Sequence, residues 1–186
     1  MVYPIVAFGH PVLKKRAGEI DKNYPDLKQL IADMYETMYF SQGVGLAAPQ
    51  INFSIRLFIT DGAPFKDEEE GLENFKKVFI NPMMVNEEGE EWKFNEGCLS
   101  IPGIREDVER KGNIRLKYFD ENFVEHDETF SGIAARIIQH EYDHIEGILF
   151  VDRLSSFKKR LIKGKLSDIS IGKVDVEYKM KFAVKR

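Results

Sequence analysis

The chain has one cysteine, Cys98, in 186 residues, so no disulfide can close within it. A lone cysteine is by default a small buried apolar side chain. No apolar run approaches the roughly 20 residues that a helix needs to cross a bilayer. The opening residues, Met1-Val2-Tyr3-Pro4-Ile5-Val6, lack the basic start and long apolar core of a signal peptide, and they are not the Arg- and Ser-rich stretch of a transit peptide. These absences lead us to expect a cytoplasmic protein with no membrane partner. A phosphate loop is missing too, because the small-residue stretch Gly43 to Gln50 has no Gly-Lys-Ser/Thr ending. There is no internal repeat, low-complexity tract or linker, and the length fits a single catalytic domain over residues 1–186 with a sizeable core. The composition, 43% hydrophobic and 31% charged, is that of a globular chain.

Negative charge is in excess overall, at −4, but it is unevenly placed. Residues 153–186 hold 11 Lys and Arg against 3 Asp and Glu, a net of +8, which leaves −12 on the first 152. A basic tail on an acidic body suits contact with an acidic surface such as nucleic acid, or else forms a solvated helix face.

Histidine is scarce, with four in the chain, and two of them fall in Gln139-His140-Glu141-Tyr142-Asp143-His144. In His-Glu-x-x-His on a helix, the two imidazoles stand one turn apart on one face and can hold one metal ion. The glutamate sits at the edge of that face, within reach of a water beside the metal. Ser131 is placed to cap such a helix, and Gly147 suits the left-handed residue just past its end. At about 100° per residue, Ile133, Ile137, His140 and His144 form one stripe, so the metal face is otherwise apolar.

The other periodicities give the frame. Leu27, Leu30, Ile31, Met34 and Met38 predict a packing helix from Pro25 to Phe40, with Pro25 in its first turn. Strands are expected at 55–60, 78–82, 91–95, 105–110, 114–119 and 123–130, with turns at Lys111-Gly112-Asn113 and Asp120-Glu121-Asn122. Residues 61–77 read as an exposed acidic loop. A basic helix from Ser156 to Lys165 follows the metal helix, and the alternation of Val174, Val176, Tyr178, Met180 and Phe182 reads as a strand. The fold class is α+β: antiparallel sheets around a central metal-binding helix, with a strand as the C-terminal segment.

A catalytic metal site takes three protein ligands and leaves one position open. The third donor could be Cys98, an acidic residue, or His10 or His126. Cys98 fits best on context, because it follows a strand and precedes the rigid Ile101-Pro102, and Gly97 would permit a bend that turns the thiol inward. A thiolate is also a better donor to a borderline-soft cation than a carboxylate.

Three separated stretches together resemble peptide deformylases. They are Gly43-Val44-Gly45-Leu46-Ala47-Ala48-Pro49-Gln50, Glu96-Gly97-Cys98-Leu99-Ser100, and Gln139-His140-Glu141-Tyr142-Asp143-His144. The resemblance implies that Cys98, His140 and His144 bind one divalent metal ion, Fe2+ in the cell, with Zn2+, Ni2+ or Co2+ able to take its place. It implies that Glu141 is the general base and then the acid, and that the Gln50 side-chain amide and the Leu99 backbone N–H hold the oxyanion. Substrate would pair with the backbone of Val44 and Gly45, near Arg105. The reaction would be removal of the formyl group from the formyl-methionine of nascent polypeptides, with the methionine chain lying against Ile133 and Ile137. The family also implies a ribosome partner, for which the basic tail is the candidate, although many bacterial members end in a helix and this chain's last segment reads as a strand. Arg136 is more polar than a methionine pocket requires. A zinc endopeptidase would usually need another His or Glu ligand further along, and no His follows His144; a purely structural metal site would need a fourth ligand.

Overall fold

A computed structural model describes residues 1–183; Lys185 and Arg186, counted above in the basic tail, lie outside them. Its dominant element is one long hairpin. Strand β4 (Lys76–Cys98) runs back as β5 (Ile101–Phe119) through the two-residue turn Leu99–Ser100, with Cys98 facing Ile101 across the turn. The turn expected at Lys111-Gly112-Asn113 does not exist. Lys111 pairs with Glu91, and Asn113 with both Glu88 and Ser131, so the stretch lies inside β5. A Lys-Gly-Asn triplet turns the chain only when its two flanks pair with each other, and here both flanks pair with β4. Gly112 instead serves an irregularity in register between Glu88 and Glu91, where an added Cβ would stand 3.3 Å from the Glu90 carbonyl oxygen. The strands expected at 78–82 and 91–95 are likewise parts of β4.

The hairpin is the centre of a five-stranded antiparallel sheet in the order β2-β3-β4-β5-β6, with β2 at Gly45–Ala47, β3 at Leu57–Asp61 and β6 at Glu125–Ser131. Helix α1 (Leu27–Phe40) lays its apolar stripe of Leu27, Leu30, Ile31, Met34 and Met38 on Leu46, Leu57, Ile59 and Ile80. Pro25 lies before the helix, because Asp26 precedes Leu27 with a left-handed backbone (φ 53°).

Helix α2 (Gly132–Ile145) carries the His-Glu motif and is buried on several sides. Ala135, Ile138 and Ile145 pack on Phe58, Phe79, Leu116 and Phe130 of the sheet. Ile133 and Ile137 pack under Leu72, Phe65 and Phe94. Gly147 takes the left-handed conformation (φ 76°) just past the helix, as its sequence position predicts. Residues 61–77 are more than an exposed loop. Two short 3₁₀ turns, Ala63–Phe65 and Leu72–Asn74, bury Leu72 and bring Glu69 to the start of α2.

Helix α3 extends from Ser156 to Ser170, five residues beyond the expected end. The C-terminal strand is shorter than expected. Only β7 (Met180–Lys181) is laddered, in parallel with β1 (Ile5–Val6). The alternation from Val174 to Met180 survives as a period-two pattern of half-buried and exposed residues. The ladder is absent over most of that stretch because β1 is the strand it meets, and β1 is two residues long.

Candidate metal centre

Cys98 is the last residue of β4, while His140 and His144 stand one helical turn apart on α2. The hairpin carries the thiol onto the helix, and one donor atom from each of the three residues lies within 4.8 Å of the other two. Cys98 Sγ is 3.3 Å from His144 Nε2, and the two imidazole rings meet edge to face at 5.2 Å. The other candidates for third ligand are elsewhere. His10 accepts a hydrogen bond from the Val12 amide at the start of a 3₁₀ turn, and half-buried His126 stacks on Tyr118 beside Asp120. The pairing with β5 is irregular between Gly97 and Cys98, where the bend was expected, though not through a left-handed Gly97. Its missing side chain makes room for Arg105 across the hairpin, whose Nη1 would lie 2.7 Å from a Cβ.

A buried ion network fixes the ring of His140. Its Nδ1 meets Glu96 Oε2 at 2.9 Å. Arg110 donates to both Glu96 oxygens at 2.8 and 2.9 Å and to Asp143 Oδ2 at 2.7 Å, and Arg153 closes on Asp143 at 2.6 Å. Burial pushes the Glu96 carboxyl up, but hydrogen bonds from His140 and Arg110 outweigh it and hold Glu96 well below the usual carboxylate range. With a carboxylate on Nδ1, that nitrogen carries the proton and Nε2 is left as the free donor, which is the usual outer support of a metal-binding histidine. Neither Glu96, Arg110 nor Asp143 has a spacing that marks this role; a charged residue one position before Gly97-Cys98 was the faint signal. Arg136 is fully buried rather than merely polar. It donates to the carbonyls of Val108 and Trp92 at 2.7 Å each and lies 4.5 Å from the Trp92 ring centre.

Glu141 is buried, with one carboxyl oxygen, Oε2, meeting no protein partner. Burial raises its pKa to about 7. The close approach of β2 is what confines it: a Cβ on Gly45 would overlap Glu141 Oε1. Gln50 is anchored by its oxygen, which accepts from the Ala47 amide at 2.8 Å. Its Nε2 reaches Cys98 Sγ at 3.5 Å and Ser100 Oγ at 3.4 Å, so the amide N–H groups point at the centre.

A cleft of about 480 Å³ opens onto this centre. Val44, Gly45, Gln50 and Leu99 line one part of it, and Cys98, His140, Glu141 and Ile137 another. Arg105 is at the exposed rim, where Asn95 holds its guanidinium through bonds of 2.8 and 2.7 Å. Ile133 does not line the cleft; it sits a turn away in the cluster beneath Phe65 and Phe94, both of which do. The Val44 carbonyl accepts from the Asp61 amide at 2.8 Å, so it is occupied within the sheet. In a trans peptide the next N–H points the opposite way, which turns the Gly45 amide to the cleft side. Sequence reasoning missed Phe65, Phe94 and the segment Val176–Tyr178, all of which line the cleft.

The donor set fits a divalent cation. One thiol and two imidazoles converge, one imidazole is already oriented by a carboxylate, and a carboxyl oxygen beside them has no protein partner. A mixed sulfur and nitrogen set suits Zn2+ or Fe2+ rather than Mg2+ or Ca2+.

The chain is similar to proteins of one kind. The family model described as polypeptide deformylase matches residues 2–160. A peptide deformylase of Christiangramia forsetii is 60% identical, with 98% of this chain and 96% of that protein aligned. Among solved structures, a peptide deformylase from Legionella pneumophila superposes with a TM-score of 0.78 at 38% identity, over 90% of this chain and 95% of that one. One from Arabidopsis thaliana superposes with a TM-score of 0.81 at 30% identity, over 95% and 97% of the two chains.

Proposed function

This chain belongs to the polypeptide deformylase family, and we propose on that footing how its own residues carry out the removal of formate from formyl-methionine at the start of new polypeptides. The observation that carries the reading is the convergence of Cys98, His140 and His144 beside the unpartnered oxygen of Glu141. Those three side chains hold one divalent cation, Fe2+ in the cell, with Zn2+, Ni2+ or Co2+ as substitutes. When bound, the cation supplies Lewis acidity, polarising the formyl carbonyl and acidifying water.

The substrate backbone extends along the edge of β2 at Gly45, whose amide is turned to the cleft, as a strand added to a sheet. The methionine side chain enters the apolar part of the cleft formed by Ile137, Phe65 and Phe94, where a flexible thioether packs well. Glu141 takes a proton from the attacking water. Gln50 Nε2 and the Leu99 N–H donate to the oxygen that gains charge. Glu141 then returns the proton to the departing amine nitrogen, so that formate and a free amino terminus are the products. Burial favours the protonated form of Glu141 and a bound cation favours the carboxylate, opposing pulls that suit a group which must both take and return a proton.

The test is anaerobic purification, metal analysis and a formate-release assay on formyl-Met-Ala-Ser. Release that stops on chelation and returns with Fe2+ or Ni2+ is expected. Cleavage of casein without formate release would replace this reading with an endopeptidase.

We also place the protein in the cytoplasm as one catalytic domain, meeting the ribosome through α3. Among the basic residues of α3, Lys158 pairs with Glu106 at 2.8 Å and Lys159 bonds the Asp152 carbonyl, whereas Arg160, Lys163 and Lys165 make no ion pair among the described residues. Reversing these last three charges should weaken co-sedimentation with ribosomes; undiminished co-sedimentation would reject the contact.

A further inference from the structure

The turn Leu99–Ser100 joins the third metal donor to the expected oxyanion donor, and it is gripped from outside the hairpin. The Tyr178 hydroxyl donates to the Leu99 carbonyl at 2.8 Å, across 79 positions of chain. The Phe8 amide donates to the Ser100 carbonyl at 2.9 Å. Both holds come from the terminal strand pair. Ile5 N donates to the Lys179 carbonyl at 2.8 Å and Ala7 N to the Lys181 carbonyl at 2.9 Å, so β1 and β7 are locked together just beside Phe8 and Tyr178. Register then decides which tail residues turn inward. With Met180 opposite Ile5, the period-two alternation turns Tyr178 and Val176 to the body and leaves Lys179 and Glu177 exposed. Val176, Glu177 and Tyr178 consequently form part of the cleft wall.

We propose that Tyr178 is a positioning residue: through the Leu99 carbonyl it clamps the Leu99–Ser100 turn, and so sets where the Cys98 thiol and the Leu99 amide stand. The proposal rests on the deformylase reading for the role of Leu99, and on the Tyr178 and Phe8 hydrogen bonds for the clamp itself. A two-residue turn has few internal restraints on the tilt of its central peptide plane. A hydroxyl bonded to one carbonyl and an amide bonded to the next remove that freedom, which is pre-organisation of the kind that favours a developing oxyanion.

The test compares the full-length protein with Tyr178→Phe and Tyr178→Met, both of which remove the hydroxyl while keeping apolar bulk. With formyl-Met-Ala-Ser and Ni2+, both should lower kcat by about three- to tenfold, the scale of one lost hydrogen bond, with KM changed less than twofold and full cation stoichiometry. The second readout is the absorption band between thiolate and metal in the Co2+-loaded protein, which should shift in both variants if the thiol is re-aimed. Wild-type kcat together with an unshifted band would overturn the proposal, whatever happens to melting temperature, and leave the tail as a strut. Loss in Tyr178→Met alone would also overturn it, by assigning the effect to ring packing. If the loaded wild type releases no formate, the deformylase reading fails, and the Co2+ band still decides for or against the clamp.

Discussion

Glu141 concentrates the opposing demands of stability and chemistry in one side chain. It is 4% exposed, one of its oxygens has no protein partner, and burial raises its pKa to about 7. The folded-state value is therefore above the unfolded value of 4.5. The unfolded chain gives up this proton first as pH rises, so the residue costs the metal-free fold stability progressively between about 4.5 and 7 and at full strength above that. Metal-free Glu141→Gln should consequently match the wild type in melts at pH 4 and exceed it at pH 8, by on the order of 2–4 kcal/mol. In the cation-loaded protein this advantage should shrink, because a nearby positive charge favours the carboxylate. The same variant should lose roughly 10²–10⁴ of the rate with the cation still bound. Equal melts at pH 8 would mean that water satisfies the carboxylate after all. Gly45 is the partner of this economy, since any side chain there would occupy the space of the Glu141 carboxyl.

Helix α2 shows how an element is set from outside itself. Ser131 stands at its N-cap but makes no side-chain capping bond. The cap comes from Glu69, 64 residues earlier, whose Oε2 accepts from the Ile133 amide at 2.9 Å. Gly132, in the left-handed region at φ 57°, leaves the space that this carboxylate fills. A negative group at the first turn also suits the helix dipole. Glu69→Ala should therefore cost about 1 kcal/mol in urea unfolding, and Glu69→Gln less, since the amide oxygen can still accept. A change within error for both would show that the cap is redundant with solvent. The acidic run 67–70 reads as solvated from composition alone, and one member of it is instead a tether between loop and helix.

Over the whole molecule, the three candidate metal donors come from two elements that meet only in the folded chain: the tip of a long hairpin and the middle of a central helix. The Glu96–Arg110–Asp143 network, buried except where the exposed Arg153 closes it, crosses the same junction. A cation held by Cys98, His140 and His144 binds the folded state and not the separated elements, so it should stabilise by mass action. At a free concentration of about 100 times Kd the gain is roughly 2.7 kcal/mol, or about 5–10 °C in melting temperature for a domain of this size. Scanning calorimetry with and without Ni2+ checks this. Cys98→Ser should lose most of the increment, and a full increment in that variant would remove the thiol from the ligand set.

The metal helix could be read from the chain with its ends nearly right, because a 3.6-residue stripe, a following glycine and two histidines one turn apart are local signals. So were the face of α1, the existence of β3, and the period-two alternation of the tail, although only Met180–Lys181 of it is laddered, since each follows from periodicity within a dozen residues. The continuity of β5 was not, because Lys-Gly-Asn becomes a turn or a bulge according to which strand pairs with its flanks. The irregularity at Gly97 is legible as a bend, but the reason a glycine stands there is not: the space it leaves is taken by Arg105 across the hairpin. Ile133 and Ile137 look alike in sequence, yet only Ile137 faces the cleft, since the loop carrying Leu72 and Phe65 covers the other. The chain alone thus determined the donor types and their spacing on α2, while the reaction came from the resemblance of three motifs to one family. Only the tertiary structure decided that Cys98 meets them, that Glu96 orients His140, and that the Tyr178 hydroxyl reaches the Leu99 carbonyl. Those are contacts between residues tens of positions apart, set by strand register and packing, which no local pattern encodes.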